Sequence, residues 1–281
     1  MDAEAVKAEH APVARSQIIY RHTLPVRLTH WVNVICPCIL LMSGLQIFNA
    51  HTHLYFGNRS DPQHELLSMR AVRGPDGMPV GLTTIGNTTF HTTGVLGLSR
   101  GDDGQWEARG FPNWITLPSY RDLATGRRWH FFFAWLFVIN GLTYLTYSVL
   151  NGHVRRDLSP NRRQLRNIGH DIVQHLRLRF PKGEEAKHYN VLQKLAYLAV
   201  IFALLPLVVL TGLTMSPGID AAFPFLVELF GGRQSARTIH FLCATGIVLF
   251  VFVHVVMVLI SGVWNNMRSM ITGRYRIETA E

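Results

Sequence analysis

Thr238–Val263 reads TIHFLCATGIVLFVFVHVVMVLISGV and contains no Asp, Glu, Lys or Arg. At ~1.5 Å of rise per residue, about 20 apolar residues cross the hydrocarbon core of a bilayer. Working outward, three more segments pass the same test, at about 28–48, 129–150 and 195–215, and all three lack those four residue types. Core helices of water-soluble proteins are rarely so long and so free of charge. The expected fold class is an all-α membrane protein, a four-transmembrane-helix bundle with a long outer loop and an amphipathic helix on the inner side.

Composition agrees. Charged residues make up 16% of the 281 residues, against a usual ~25%. The mean hydropathy of +0.15 suits membrane helices joined by sizeable polar loops, and 16 Phe with 6 Trp argue against disorder. The net charge is +9. Sixteen Lys and Arg lie in the tail 1–27, the segment 151–191 and the tail 264–281, against ten in 49–128 and 216–237. This bias predicts both termini in the cytoplasm and explains the basic excess without nucleic acid. The first 24 residues lack an apolar run, so no secretory signal is expected there. The three cysteines, Cys36, Cys38 and Cys243, sit in apolar runs and predict no disulfide framework.

The domain plan is an N-terminal tail 1–27, a membrane domain 28–263 and a tail 264–281. The membrane domain includes an outer insertion 49–128 and an inner loop 151–191. The insertion holds turn signals at Pro75-Asp76-Gly77 and Gly101–Gly104, with strand-like runs at Pro79–Ile85 and Gly94–Leu98. A loop of that length with its own structure usually binds something. In 162–180, Leu165, Ile168, Ile172, Leu176 and Phe180 recur at helical spacing between Arg162, Arg163, Arg166 and Arg177. That pattern predicts an amphipathic helix lying on the anionic inner leaflet.

Of the 14 histidines, His30, His130, His240 and His254 fall in the spans, where ionisable groups are costly and mark function. His240 and His254 are nearly four turns apart, so both rings share one helix face at a Cα separation of ~21 Å. That distance is too long for one metal and suits two sites stacked along the membrane normal. Depth assigns the partners: His30 with His254 near the cytoplasm, His130 with His240 near the outside. A bis-imidazole pair without thiolate or carboxylate suits haem iron and leaves zinc two ligands short. Arg27, Arg127 and Arg237 each precede a candidate ligand by three residues. Read singly they are positive flanks of span ends. Together they fall where haem propionates would lie, and a guanidinium grips a carboxylate through two bonds. Gly44 and Gly141 fall at turns that should face the outer and inner sites.

The RxxHW run Arg27–Trp31, His130 opening the second span, and the His240/His254 pair together resemble the bacterial cytochrome b561 type. This is the dihaem b family that includes membrane subunits of nickel-iron hydrogenases and formate dehydrogenases. The likeness covers the four spans. It implies two b-type haems, a quinone near the inner haem, location in the bacterial inner membrane and an electron-transfer partner in the periplasm. The long insertion, with Ile47–His51 and Leu54–Gly57, looks more like cytochromes paired with periplasmic molybdopterin oxidoreductases. The insertion 49–128 and the 216–237 loop are then the docking site of the partner.

Two other functions compete. A self-contained superoxide:quinone oxidoreductase would need an exposed basic funnel outside. A haem-free anchor or proton-path protein would tolerate loss of any of the three arginines. No catalytic residue is assigned. Groups near the inner site that could serve a quinone are His22, Asn33, Asn190, Gln193 and Lys194. Cys36-Pro37-Cys38 reads as buried helix rather than a redox motif, and His51, His53, His64 and His91 as surface or partner-contact residues. Pro206 is expected to kink the third span, which carries no ligand.

Overall fold

The computed structural model describes residues 15–152, 159–176 and 191–279. In chain order its elements are β1 (Arg15–Tyr20), α1 (Leu24–Phe48), β2 (His53–Leu54), β3 (Leu67–Arg73), β4 (Pro79–Ile85), β5 (Thr88–His91), β6 (Leu98–Arg100), β7 (Trp106–Ala108) and α2 (Leu123–Leu150). There follow α3 (Arg162–Arg166), α4 (Ile168–Leu176), α5 (Val191–Ala199), a π-helical segment Val200–Leu204, α6 (Leu205–Thr214), α7 (Pro217–Ala222), α8 (Phe225–Leu229), α9 (Arg233–Ile260), α10 (Val263–Thr272) and β8 (Arg274–Thr279). Four helices are long and apolar enough to cross a membrane: Leu24–Phe48, Leu123–Leu150, Val191–Thr214 and Arg233–Ile260. The chain is thus mostly helical rather than wholly so. Phe132, Leu249 and Phe252 stay 66%, 63% and 64% exposed. Apolar side chains that water would drive inward can face lipid tails without cost.

The helix ends differ from the hydropathy boundaries for local reasons. α2 starts before the apolar run because Asp122 caps it. One carboxylate oxygen accepts from the amides of Ala124 and Thr125 at 2.9 and 3.1 Å, the other from the Thr125 hydroxyl at 2.7 Å. At α9 the carbonyl of Gly57 accepts from the amides of Gln234 and Ser235 at 3.1 and 3.2 Å, filling donors that a helix start leaves open. α9 ends at Ile260, short of the expected Val263, because Gly262 turns the chain at φ 105°. The π segment stands immediately before Pro206. A proline has no N–H and crowds the carbonyl one turn back, and a wider turn absorbs both effects.

The chain forms two compact units. The first comprises Met1–Leu28, Thr146–Leu198 and Phe252–Glu281. In it β1 pairs antiparallel with β8 from Arg15↔Thr279 to Tyr20↔Arg274, so both ends of the described chain lie on one side. The segment expected as a plain C-terminal tail is therefore α10 and a paired strand. Arg27 donates to the Ile271 carbonyl at 2.5 Å, and the Tyr147 hydroxyl to Thr23 at 3.0 Å. The amphipathic helix expected over 162–180 is two short helices that break at Asn167, and 177–180 lie outside the described residues.

The second unit comprises Thr29–Leu145 and Ala199–Val251. Its insertion folds as a four-stranded sheet in the order β2-β3-β4-β5 beside the β6-β7 ribbon. β4 occupies the predicted Pro79–Ile85. Gly94–Leu98 is instead a turn leading into β6, with Gly94 and Gly97 at φ 89° and 78°, values that a strand excludes. Phe48, Leu54, Leu67 and Met69 form its core, and Phe111 and Phe241 pack against them. Arg109 is 3% exposed and donates to the Phe111 and Ser119 carbonyls at 2.8 and 3.0 Å and to Thr116 at 2.9 Å. Asn49, just past α1, exchanges hydrogen bonds of 3.1 and 2.7 Å with the backbone of Phe111. The insertion is thus bonded to the end of α1 and, through the Gly57 carbonyl, to the start of α9, which carries His240.

Candidate functional site

His130 and His240 each lie about two turns from the start of their helices, α2 and α9. Their ring centroids stand 6.2 Å apart at an interplanar angle of 62°. Each ring leans on another helix. The Nδ1 of His130 lies 3.1 Å from the Ser43 hydroxyl on α1. The Nδ1 of His240 lies 2.9 Å from the Val208 carbonyl and 3.3 Å from the Thr211 hydroxyl on α6. A carbonyl only accepts, so Nδ1 of His240 carries the proton. Ser43 donates its own proton to the Ile39 carbonyl at 2.6 Å. Its oxygen therefore accepts, and His130 takes the same tautomer. Both rings keep a free lone pair on Nε2.

Two glycines make room for these rings. A Cβ on Gly44 would stand 3.3 Å from Cε1 of His130, and one on Gly212 3.2 Å from Cε1 of His240. Gly44 was expected at this level, but it admits the histidine itself. Gly141 has nothing within 4 Å of its Cβ position. The chemistry of the donor set tests what the pair could hold, since two neutral imidazoles with unprotonated Nε2 atoms suit a transition-metal ion. Among the described residues no group of three or more His, Cys, Asp or Glu could hold a metal. Two imidazoles alone fit an iron whose other ligands come from a macrocycle.

Of the remaining candidates, His30 sits on α1 with its ring 5.6 Å from that of Trp31, and His254 sits on α9. Arg237 donates to the His53 carbonyl at 2.8 Å and to the His51 carbonyl, and its guanidinium lies 5.2 Å from the Phe48 ring centroid. Arg127 lies 5.5 Å over the Phe131 ring. Asn33 accepts from Asn140 at 2.8 Å. Lys194 is buried and donates to the Ser159 carbonyl and Gln164 at 3.3 and 3.4 Å. Asn190 lies outside the described residues. Cys36, Cys38 and Cys243 are free thiols.

Of the outer histidines, His53 belongs to a hydrogen-bonded cluster around Glu65. His53 Nδ1 lies 3.1 Å from Glu65, the Tyr55 hydroxyl donates to Glu65 at 3.3 Å, and Arg70 reaches both Glu65 oxygens at 2.5 Å. Burial pushes the Glu65 carboxyl up, but bonds from Arg70 and Ser68 hold it below the ordinary carboxylate range. Burial, then the charge of Arg237, lowers the His51 imidazole from its usual value.

Ser43, Thr211 and Gly212 escaped notice in the sequence. The signal available was the repeated hydroxyl–glycine pair, Ser43-Gly44 after Pro37 and Thr211-Gly212 after Pro206. The third span carries none of the four span histidines, yet it seats one of them.

A relative from Azospira oryzae, the putative protein-methionine-sulfoxide reductase subunit YedZ1, is 29% identical over 233 residues, covering 83% of this chain and 87% of that protein. No solved structure matches this chain. The family model for prokaryotic cytochrome b561 matches residues 21–273, in keeping with the four apolar helices and the facing imidazoles, and the chain belongs to that family.

Proposed function

We propose that this chain is a dihaem b-type cytochrome that carries electrons across the bacterial inner membrane between the quinone pool and a periplasmic oxidoreductase of the molybdopterin class. The observation that carries the reading is the 6.2 Å separation of the His130 and His240 rings. Their Nδ1 protons are held by other helices, and their Nε2 lone pairs are left for iron. A bound haem supplies one-electron exchange at its iron. His130 and His240 would hold the outer haem. His30 and His254, about four turns from Gly44 and His240 along α1 and α9, would hold the inner one. Arg27, Arg127 and Arg237 supply positive charge near the carboxylates of the two groups. Both termini then face the cytoplasm and the insertion 49–128 faces the periplasm, where its folded surface and the 216–237 loop receive the partner. The Azospira oryzae relative is a putative reductase subunit, which favours electron flow from quinol outward to the partner.

The test is haem content and reduced-minus-oxidised spectra of the detergent-purified chain beside four single His→Ala variants. The expected result is two haems per chain. His130→Ala and His240→Ala should lose one and the same site, His30→Ala and His254→Ala the other. A well-folded chain without haem would overturn the reading.

A further inference from the structure

The two facing histidines are seated by one device used twice. On α1, Ser43 is 0% exposed, donates to the Ile39 carbonyl four residues back at 2.6 Å and presents its oxygen 3.1 Å from Nδ1 of His130. On α6, Thr211 is 0% exposed, donates to the Leu207 carbonyl four residues back at 2.6 Å and presents its oxygen 3.3 Å from Nδ1 of His240. At His240 the carbonyl three residues before the hydroxyl, that of Val208, shares the same Nδ1 at 2.9 Å. On both helices the next residue is a glycine whose missing Cβ leaves room for Cε1 of that ring. Two helices with different neighbours in sequence have converged on the same local geometry around an imidazole.

A hydroxyl whose proton is committed to a backbone carbonyl is a better acceptor, because the first bond polarises the oxygen. An acceptor on Nδ1–H fixes the ring's orientation and makes Nε2 a stronger donor to a metal. A stronger donor favours ferric over ferrous iron.

Resting on the cytochrome reading above, we propose that Ser43 and Thr211 are positioning residues for the outer haem. Their oxygens accept from the Nδ1 protons of His130 and, alongside the Val208 carbonyl, His240, and hold that haem's midpoint potential down. The arrangement also gives the third span its part in the bundle, since α6 carries no ligand but sets the strength of one. Loss of such a partner typically costs 10–100-fold in metal affinity, so haem retention should fall along with the change in potential.

The experiment is a redox titration and ferric low-spin EPR spectrum of the haem-loaded full chain, as wild type and as Ser43→Ala, Thr211→Val and Thr211→Ser. His130→Ala identifies which signal is the outer haem. Thr211→Val keeps the shape and removes the hydroxyl, whereas Thr211→Ser keeps the hydroxyl and removes the methyl. The expected result is a more positive outer-haem potential and altered g-values in Ser43→Ala and Thr211→Val, with Thr211→Ser at wild-type values and the inner haem unmoved throughout. Loss of the outer haem from Thr211→Val with retention in Thr211→Ser supports the same conclusion. Unchanged potential and g-values in Ser43→Ala and Thr211→Val overturn it. So does an effect of Thr211→Ser as large as that of Thr211→Val, which marks packing alone. If His130→Ala leaves the haem count at the wild-type value, the cytochrome reading fails at this site, whatever the hydroxyls do.

Discussion

Arg237 donates a 2.8 Å hydrogen bond to the carbonyl of His53. The turn of α9 that precedes His240 is thereby bonded to the first residues of the insertion, and Thr238 adds a 2.6 Å bond to the Tyr55 carbonyl. The sequence pattern offered Arg237 as a partner for a carboxylate. In the structure two of its donors already hold backbone carbonyls, so its first effect is to fix the insertion over the histidine pair. Hydrogen bonds from a charged donor contribute ~1.5–3 kcal/mol each. Arg237→Ala should therefore raise hydrogen exchange across 51–57 while leaving β3 and β4 protected. Unchanged exchange there would contradict the assigned role.

Gly212 meets the His240 ring as closely as a Cβ could be tolerated, with 3.2 Å to Cε1. Gly212→Leu should displace the ring and abolish the spectral signal assigned to His240. Gly212→Ala should cost ~1–3 kcal/mol of overpacking and shift the signal without removing it. Gly141→Ala, with nothing within 4 Å, should change neither. Absorption spectra of the three variants compare these outcomes directly.

Arg109 is the buried hub of the insertion. Arg109→Leu would strand the Ser119 carbonyl and take one of two partners from the Phe111 carbonyl, which keeps Asn49, and from the Thr116 hydroxyl, which keeps the Asn113 carbonyl. An unpaired buried group costs about 1–3 kcal/mol, so the variant should lose at least that much. Limited proteolysis should then cut between residues 96 and 121, where the wild-type chain resists.

Acid should loosen the insertion before the helices. Glu65 has a folded pKa below its unfolded value, so its contribution is complete above ~4.3 and is lost as pH falls through the folded value. His51 is also lowered in the fold, so its share is present above ~6.5 and begins to be lost as pH falls below that. Both groups act in the same direction. Exchange in 51–70 should rise on acidification from pH 7 to about pH 3, and Glu65→Gln should remove the part of that rise that lies below pH ~4.3.

The spans were legible because a bilayer demands about 20 apolar residues from any helix that crosses it. The four span histidines were legible because polar groups there are rare. His130 and His240 could be paired by their depth along the spans, and the structure brings their rings to 6.2 Å. Element ends were less legible. They depend on single capping contacts, such as Asp122 with Thr125 or Gly57 with Ser235, that hydropathy does not register. The run Gly94–Leu98 reads as a strand by composition, but the positive φ of Gly94 and Gly97 makes it a turn.

By itself the sequence determined the four spans, the histidine positions along them and the charge bias of the loops. Each follows from periodicity and transfer free energy within one segment. Only the tertiary structure decided which backbone and hydroxyl oxygens receive the Nδ1 protons, that α6 carries a seat for His240, and that Arg237 holds the insertion. Those facts join residues far apart in the chain. A hydrogen bond depends on distance and direction in space, and a linear pattern of residue types encodes neither.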